Sequence, residues 1–281
     1  MTFAAQIGTM VLLYASWGIA AGVVLRRMML LCLCVGAIAG TGAYSYALAA
    51  PHTGVGVAWI AAAVGGAMAG WAAVAMAGKL DKNDYTLGSF AAMLVWESLV
   101  GGLTPVTGGP FGIAGLPTLP TAQVIGNSAA FVMLGTTLAA VSIAATRWER
   151  LRRLHTAAGI VARSRELADS FGISHRAVFA AYGGALGAIC GIGGALLAAF
   201  IGYVGPSLIS LATSVQIAAL ALAYARGVMM FALLLVFMVA VPELLRLLSI
   251  SGVDGPSVRI AFAGFALLML GLGHSRASAA Q

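Results

Sequence analysis

Charged side chains are scarce in this 281-residue chain. Asp, Glu, Lys and Arg make up 8% of its residues, whereas a soluble globular domain contains about 25%. Hydrophobic residues account for 61% and the mean hydropathy is +1.01, so almost all of the chain is expected to lie in a lipid bilayer. This composition leaves no room for a separate soluble catalytic domain.

Cysteine is rare, and the motifs of common enzymes are absent. The three cysteines, Cys32, Cys34 and Cys190, lie inside apolar runs and are interpreted as small core residues rather than as disulfides or metal ligands. The histidines lack metal-ligand spacing. The sequence has no Ser-His-Asp grouping, no nucleotide-binding loop and no His-Glu-x-x-His motif. We therefore expect no catalytic residue, metal or cofactor in this chain.

Long apolar runs make up most of the sequence. A membrane-spanning helix needs about 20 apolar residues. The runs that meet or approach this length are 3–25, 28–49, 57–78, 86–104, 121–145, 177–203, 207–224, 228–248 and 257–273. They predict an all-α polytopic membrane protein with about 8–9 transmembrane helices, built as one transmembrane domain over residues 1–281. The Gly- and Pro-rich loop at 104–120 either faces water or dips back into the protein.

Positive charges are unevenly distributed along the chain, whose net charge is +7. With the N-terminus outside, 13 of the 15 Lys and Arg residues fall on the cytoplasmic side, and only Arg246 and Arg259 fall outside. Cytoplasmic loops of membrane proteins carry an excess of Lys and Arg. We therefore predict an N-terminus outside and a C-terminus in the cytoplasm, and the charge needs no nucleic-acid partner to explain it.

One long polar segment, at about 146–176, interrupts the apolar runs. It holds seven of the 15 Lys and Arg residues and three of the eight acids, so it is expected to face the cytoplasm. Within it, Arg163–Ser174 is predicted to be a short amphipathic helix, because Leu167 and Phe171 lie four residues apart and Gly172 follows as a stop signal. Such a helix is either a docking handle for another protein or a solvated connector.

Few ionisable side chains are predicted at membrane depth, and each is a candidate functional residue. Glu97 lies in the fourth run, where a role in a transport path and structural pairing are both open. Glu243 and Arg246, three residues apart near the end of the eighth run, are interpreted as a pair at the membrane interface. Asn127 and Gln216 are neutral polar residues inside apolar runs.

Several short motifs follow one another over roughly residues 40–246. They are Gly-Ala-Tyr at 42–44, Thr-Gly-Gly-Pro-Phe-Gly-Ile-Ala-Gly-Leu-Pro at 107–117, Glu-Leu-Ala with a later Gly-Ile at 166–173, Cys-Gly-Ile-Gly-Gly-Ala-Leu at 190–196, Pro206 with Ser214 eight residues later, and Val-Pro-Glu-Leu-Leu-Arg at 241–246. In order and spacing they resemble the permease subunits of ABC importers for branched-chain amino acids, in particular the LivM-type half.

The resemblance implies a permease bundle in the bacterial inner membrane. ATP would bind to two separate ATPase subunits, and a second permease subunit and a periplasmic or lipid-anchored substrate-binding protein would complete the assembly. The expected substrates are branched-chain or other small apolar amino acids. The ATPase-coupling residues would be Arg163, Arg165, Glu166, Leu167, Ala168, Phe171 and Gly172. The candidate residues of the translocation path, which include the polar residues Glu97, Asn127 and Gln216 named above, are Glu97, Thr107, Gly108, Gly109, Asn127, Ser214 and Gln216.

Two other classes of protein remain open. Gly-Ile-Gly-Gly at 191–194, with Thr213 and Ser214 downstream, resembles sulfite-exporter-type secondary carriers of small anions, but residues 1–40 lack that family's early copy of the motif. A purely structural membrane subunit would explain the few intramembrane carboxylates but not the ordered motifs. A bound ATPase would distinguish the importer from the other two classes.

Overall fold

The computed structural model describes residues 3–78, 80–117, 149–163 and 170–247, together with the single positions Gly135, Ala168 and Gly264. Most of these residues are helical. The helices are α1 (Phe3–Met28), α2 (Val35–Thr53), α3 (Val55–Ala75), α4 (Lys82–Gly102), α5 (Thr104–Thr107), α6 (Glu149–Arg163), α7 (His175–Ile201), α8 (Leu211–Arg226) and α9 (Val228–Leu247). The other described elements are two 3-10 turns, Met76–Gly78 and Gly109–Phe111, and two short strands, β1 (Ile113–Ala114) and β2 (Tyr203–Val204).

Three of the described helical segments are long and apolar enough to cross a membrane, by length and composition. They are Ile7–Met28, Val55–Gly78 and His175–Ile201. A fourth candidate consists of Lys82–Gly102 followed by Thr104–Phe111, with a bend of 78° between them. The described residues are therefore compatible with an all-α membrane protein that has three or four candidate spans.

The apolar runs locate the helices better than they locate the helix starts. The runs 28–49 and 207–224 correspond to α2 and α8, but these helices begin only at Val35 and Leu211. With 16 residues, α8 is shorter than the roughly 20 residues of a full span. The predicted runs 121–145 and 257–273 lie outside the described residues except for one position in each.

The helices α3 and α7 meet along five glycines, which we call the glycine seam. The seam consists of Gly66 and Gly70 of α3 and Gly183, Gly187 and Gly191 of α7. A methyl group on Gly70 would lie 2.6 Å from the Cα of Gly187, and one on Gly66 would lie 2.6 Å from the Cα of Gly191. The two backbones are therefore in direct contact, which only small residues permit. Glycines spaced four residues apart on each helix make this close packing possible.

Helix α7 also contacts α1 and α2, so it has helices on several sides. A methyl group on Gly42 of α2 would overlap the backbone of Gly191. From α1, Trp17 lies over Gly193, and its indole N–H donates a hydrogen bond to the carbonyl of Cys190 at 3.3 Å. These contacts place α7 at the centre of the described bundle.

The helices α1 and α8 run in the same direction. Gly18 of α1 lies against Leu220 of α8, and one turn later Gly22 lies against Tyr224. The start of α9 joins this pair, because the rings of Phe231 and Tyr224 meet edge to face at 5.6 Å. The C-terminal ends of α1 and α8 therefore lie at the same end of the bundle.

Exposed basic side chains gather at this end, which we call the charged end. It combines the last turns of α1, α3, α6 and α8 with the first turns of α4 and α7. The exposed basic residues there are Arg26, Arg27, Lys82, Arg163, Arg176 and Arg226. Helix α6 occupies part of the segment predicted only as a polar loop, and it buries Ala158 and Val161. The clustering agrees with the uneven distribution of charge in the sequence.

A glycine-rich loop, 104–117, packs at the opposite end of α7. β1 and β2 pair antiparallel there, and the amide of Gly115 donates a hydrogen bond to the carbonyl of Gly202 at 3.1 Å. The Tyr46 hydroxyl of α2 donates to the carbonyl of Pro117 at 2.9 Å. The first part of the loop predicted at 104–120 therefore rests on the protein rather than extending away from it.

Candidate functional site

Two helices begin inside the bundle, beside the middle of α4. The amide of Gly36, in the first turn of α2, donates a hydrogen bond to Ser214 Oγ of α8 at 2.9 Å. The Ser214 hydroxyl in turn donates to Met93 Sδ of α4 at 3.3 Å. The amide of Leu211, the first residue of α8, donates to Glu97 Oε2 at 3.4 Å. We call these five residues the polar junction.

Glu97 lies at the N-terminal end of α8. The first amides of a helix are unpaired within it and carry a partial positive charge, so a carboxylate is favourable there. At 3.4 Å the contact with Leu211 is longer than the 2.7–2.9 Å of a strong charged hydrogen bond. Within the described part of the chain, the hydrogen-bond partner of Glu97 is thus a backbone amide rather than a basic side chain.

Ser214 links three helices from a fully buried position. Its hydroxyl accepts from the first turn of α2, so α8 caps α2. A methyl group on Gly36 would collide with Ser214 Oγ, which explains why glycine stands there. Gln216 is also buried, but it is two residues further along α8 and therefore lies on a different side of that helix. The structure brings Ser214 and Glu97 together and separates Gln216 from them.

Aromatic side chains adjoin the polar junction: Tyr44 belongs to the Gly-Ala-Tyr motif, whereas Trp96 is not among the predicted site residues. The Trp96 indole N–H donates to Thr41 Oγ1 of α2 at 3.1 Å, and the Trp96 ring meets Tyr44 edge to face at 6.2 Å. Gly40 leaves room for Trp96, because a methyl group there would overlap the indole. The spacing of Thr41 and Tyr44, three residues apart on a helix, is the signal that could have identified this face of α2.

The predicted path residues Thr107, Gly108 and Gly109 form the turn that follows α4. The single hydroxyl hydrogen of Thr107 is shared between the carbonyls of Val100, 2.6 Å from Oγ1, and Leu103, 2.9 Å from it, and Oγ1 accepts from the amide of Gly109 at 3.2 Å. Gly108 has a φ of +73°, which favours glycine. The hydrogen bonds of Thr107 therefore stabilise the bend after α4.

Asn127 lies outside the described residues, as do Arg165, Glu166 and Leu167 of the predicted coupling segment.

A helix ends within the predicted coupling segment, at the residues that directly precede α7. Ala168 is fully buried, whereas Phe171 is 67% exposed. Gly172 has a φ of +66°, and the amide of Ile173 donates to the carbonyl of Ala168 at 2.9 Å. This bond and the left-handed glycine form the usual glycine-terminated helix end, so the stop predicted at Gly172 is confirmed. The helix itself ends before Phe171, short of the predicted end at Ser174. Ala168 faces the protein, and Phe171 faces away from it.

The chain passes from this helix end directly into α7. The Ser174 hydroxyl caps α7 by accepting from the amide of Ala177 at 3.5 Å. Only Ile173 and Ser174 separate Gly172 from the first residue of α7. Because this link is so short, a displacement of Phe171 would be transmitted to the first turn of α7.

A cavity of about 440 Å³ opens at the charged end. Asp81, Lys82 and Arg163 supply its charged groups, and Met28 and Phe179 are among its apolar lining residues. The cavity lies between the last turn of α1, the turn before α4, the end of α6 and the first turns of α7. A partner protein that approaches this end would meet both charge and apolar surface.

The described residues contain no group of three or more His, Cys, Asp or Glu side chains arranged to hold a metal ion. Comparisons of the chain with protein-family models, with curated proteins and with solved structures find no match. The functional argument therefore rests on the polar junction, the charged end and the motifs in the sequence.

Proposed function

We propose that this chain is the transmembrane permease subunit of an ATP-driven importer. The observation that carries the proposal is the exposed Phe171 at a helix end fused to the central helix α7. Phe171 is 67% exposed, and aromatic residues are enriched among the contact residues of protein interfaces. A separate ATPase that binds Phe171 would act on α7 through Gly172.

The packing of α7 supports its role as a lever. The glycine seam holds α7 against α3 by direct backbone contact, so the two helices have no flexible side chains between them. A displacement of the first turn of α7 would therefore move α3 with it. The N-terminal end of α7 is the charged end, where a cytoplasmic ATPase would bind.

The polar junction supports the second part of the proposal, which is a translocation path beside α2, α4 and α8. Interrupted helices that begin at membrane depth are a recurring feature of substrate sites in transporters. Here α2 and α8 both begin beside Met93 and Glu97. Glu97 and Ser214 are the residues proposed to face the transported solute.

The rest of the proposed assembly follows from the resemblance in sequence. A second permease subunit, two ATPase subunits and a substrate-binding protein would complete the importer in the bacterial inner membrane. The N-terminus would lie outside and the C-terminus in the cytoplasm. Branched-chain or other small apolar amino acids are the proposed substrates.

The proposal is tested at two exposed phenylalanines, one at each end of α7. Phe171→Asp places a charge in the proposed ATPase contact, so co-purification of the ATPase and ATP-driven uptake into vesicles should both fall. Phe111 is 88% exposed in the loop at the opposite end. As the matched control, Phe111→Asp should leave ATPase co-purification unchanged. Equal ATPase recovery with wild type, Phe171→Asp and Phe111→Asp would overturn the docking role of Phe171.

A further inference from the structure

Two cysteine thiols meet in the non-helical link between α1 and α2. The chain bends at Leu33, between the two cysteines, and the Sγ atoms of Cys32 and Cys34 lie 3.4 Å apart. The two side chains are 5% and 2% exposed. The amide of the intervening Leu33 donates to Ser89 Oγ of α4 at 3.0 Å, which fixes the backbone between the thiols. The pair is thus held in place, buried and close.

A tyrosine hydroxyl without a partner faces this pair. Tyr85 of α4 is 0% exposed, and within the described residues its hydroxyl has no hydrogen-bond partner. Its nearest candidate partner is the Cys32 thiol, and both Cys32 and Cys34 lie close enough to interact with it electrostatically. Buried hydroxyls are nearly always hydrogen-bonded, and an exception calls for an explanation. A negatively charged sulfur would accept a hydrogen bond from this hydroxyl more strongly than a neutral thiol does.

We propose that Cys32 and Cys34 bind one soft, thiophilic metal ion of the Cu(I) type. Thiolates select Cu(I) among the biological metals. On binding, each thiol releases its proton to solvent and each sulfur forms one bond to the metal. Two thiolates and one Cu(I) carry a net charge of −1, and the Tyr85 hydroxyl donates a hydrogen bond to that charge. This site is independent of the ATP-driven importer proposed above.

The geometry favours a two-coordinate ion. Structural zinc is almost always held by four ligands, and the described residues offer no such group. Cu(I) accepts two thiolates. With metal–sulfur bonds of about 2.3 Å, the two sulfur atoms would lie roughly 4 to 4.6 Å apart. A small rotation of the two side chains supplies the difference from the observed 3.4 Å.

Two methionines precede the cysteine pair in the sequence, at the charged end. Met28 lines the cavity of about 440 Å³, and Met29 is 53% exposed. Thioethers are also soft ligands that suit Cu(I). The Met29 sulfur accepts a hydrogen bond from Lys82 Nζ at 3.6 Å, so Met28 is the more available of the two.

The test uses the reduced full-length protein without oxygen. Cu(I) is titrated in competition with a coloured Cu(I) chelator, and one tightly bound ion per chain is expected. The variants Cys32→Ser and Cys34→Ser should each abolish that binding. Cys190→Ser is the matched control, because Cys190 is a third fully buried cysteine that lies near the pair, whereas the 3.4 Å sulfur contact joins Cys32 and Cys34. It should keep the wild-type stoichiometry.

The Tyr85→Phe variant tests whether the Tyr85 hydroxyl contributes to Cu(I) binding, while both thiols remain in place. Loss of an outer-shell hydrogen bond costs metal affinity about tenfold or more, so this variant should bind one Cu(I) more weakly. Cu(I) should also raise the melting temperature of the wild type but not of the Cys32→Ser variant. The proposed metal site would be wrong if the wild-type protein bound no Cu(I). It would also be wrong if a Cys32→Ser/Cys34→Ser double variant bound Cu(I) as tightly as the wild type does. Loss of binding in Cys190→Ser would overturn the two-thiol assignment.

Discussion

The glycine seam and the polar junction both hold helices together, but by opposite means. The seam brings the backbones of α3 and α7 into contact because side chains are absent. The junction joins the starts of α2 and α8 to α4 through a few hydrogen bonds. The far side of α4 is exposed, with Val95 57% and Leu99 54% accessible. We infer that the seam is the rigid part of the bundle and that, in the proposed transport cycle, rearrangement would occur at the junction.

The largest effect is expected from a side chain placed in the glycine seam. Gly187→Leu would drive an isobutyl group into the carbonyl of Gly66, so α3 and α7 must separate. We expect a loss of more than about 3 kcal/mol, seen as a low yield of monodisperse protein and a large drop in melting temperature. Gly184→Leu is the control, because no atom lies within 4 Å of the added carbon. If both variants were equally destabilised, the seam would not be the rigid element.

A smaller loss of stability is expected at the polar junction. Ser214→Ala leaves the buried amide of Gly36 without its acceptor, which costs about 1–3 kcal/mol. Ser45→Ala is the control, since Ser45 Oγ donates only to a carbonyl of its own helix, that of Thr41. The melting temperatures of the two purified variants measure the difference. A Ser45→Ala loss as large as that of Ser214→Ala would mean that the cap between α8 and α2 contributes nothing specific.

The smallest effect on stability is expected for Glu97→Gln, which keeps the size of the side chain. A carboxylate at a helix N-terminus contributes about 0.3–1 kcal/mol, so the melting temperature should shift little. Uptake into vesicles should fall severalfold, because we place Glu97 on the path. Ser98→Ala, on an exposed side of α4, should leave both properties unchanged. Wild-type uptake by Glu97→Gln would remove Glu97 from the path.

Much of the seam follows from the sequence, but the junction does not. The runs 57–78 and 177–203 predict α3 and α7 closely, because a long apolar stretch rich in glycine has few alternatives to a packed helix. The glycine stop at Gly172 is a local signal and is also confirmed.

The junction depends on where two helices begin and on contacts between distant residues. The residues between α1 and α2 are apolar but not helical, and hydropathy does not distinguish the two. The predicted run therefore starts at residue 28, seven residues before α2 begins at Val35. The amide of Leu211 and the carboxylate of Glu97 are 114 residues apart in the chain. No local spacing predicts such a contact. Tertiary packing decides it.

The most direct test of the account is purification of the tagged chain from its own membrane in mild detergent, with mass spectrometry of the proteins that accompany it. The account predicts an ATPase pair and a second, related permease. Recovery of the chain alone, as a stable monomer or homodimer, would contradict the importer and favour a secondary carrier.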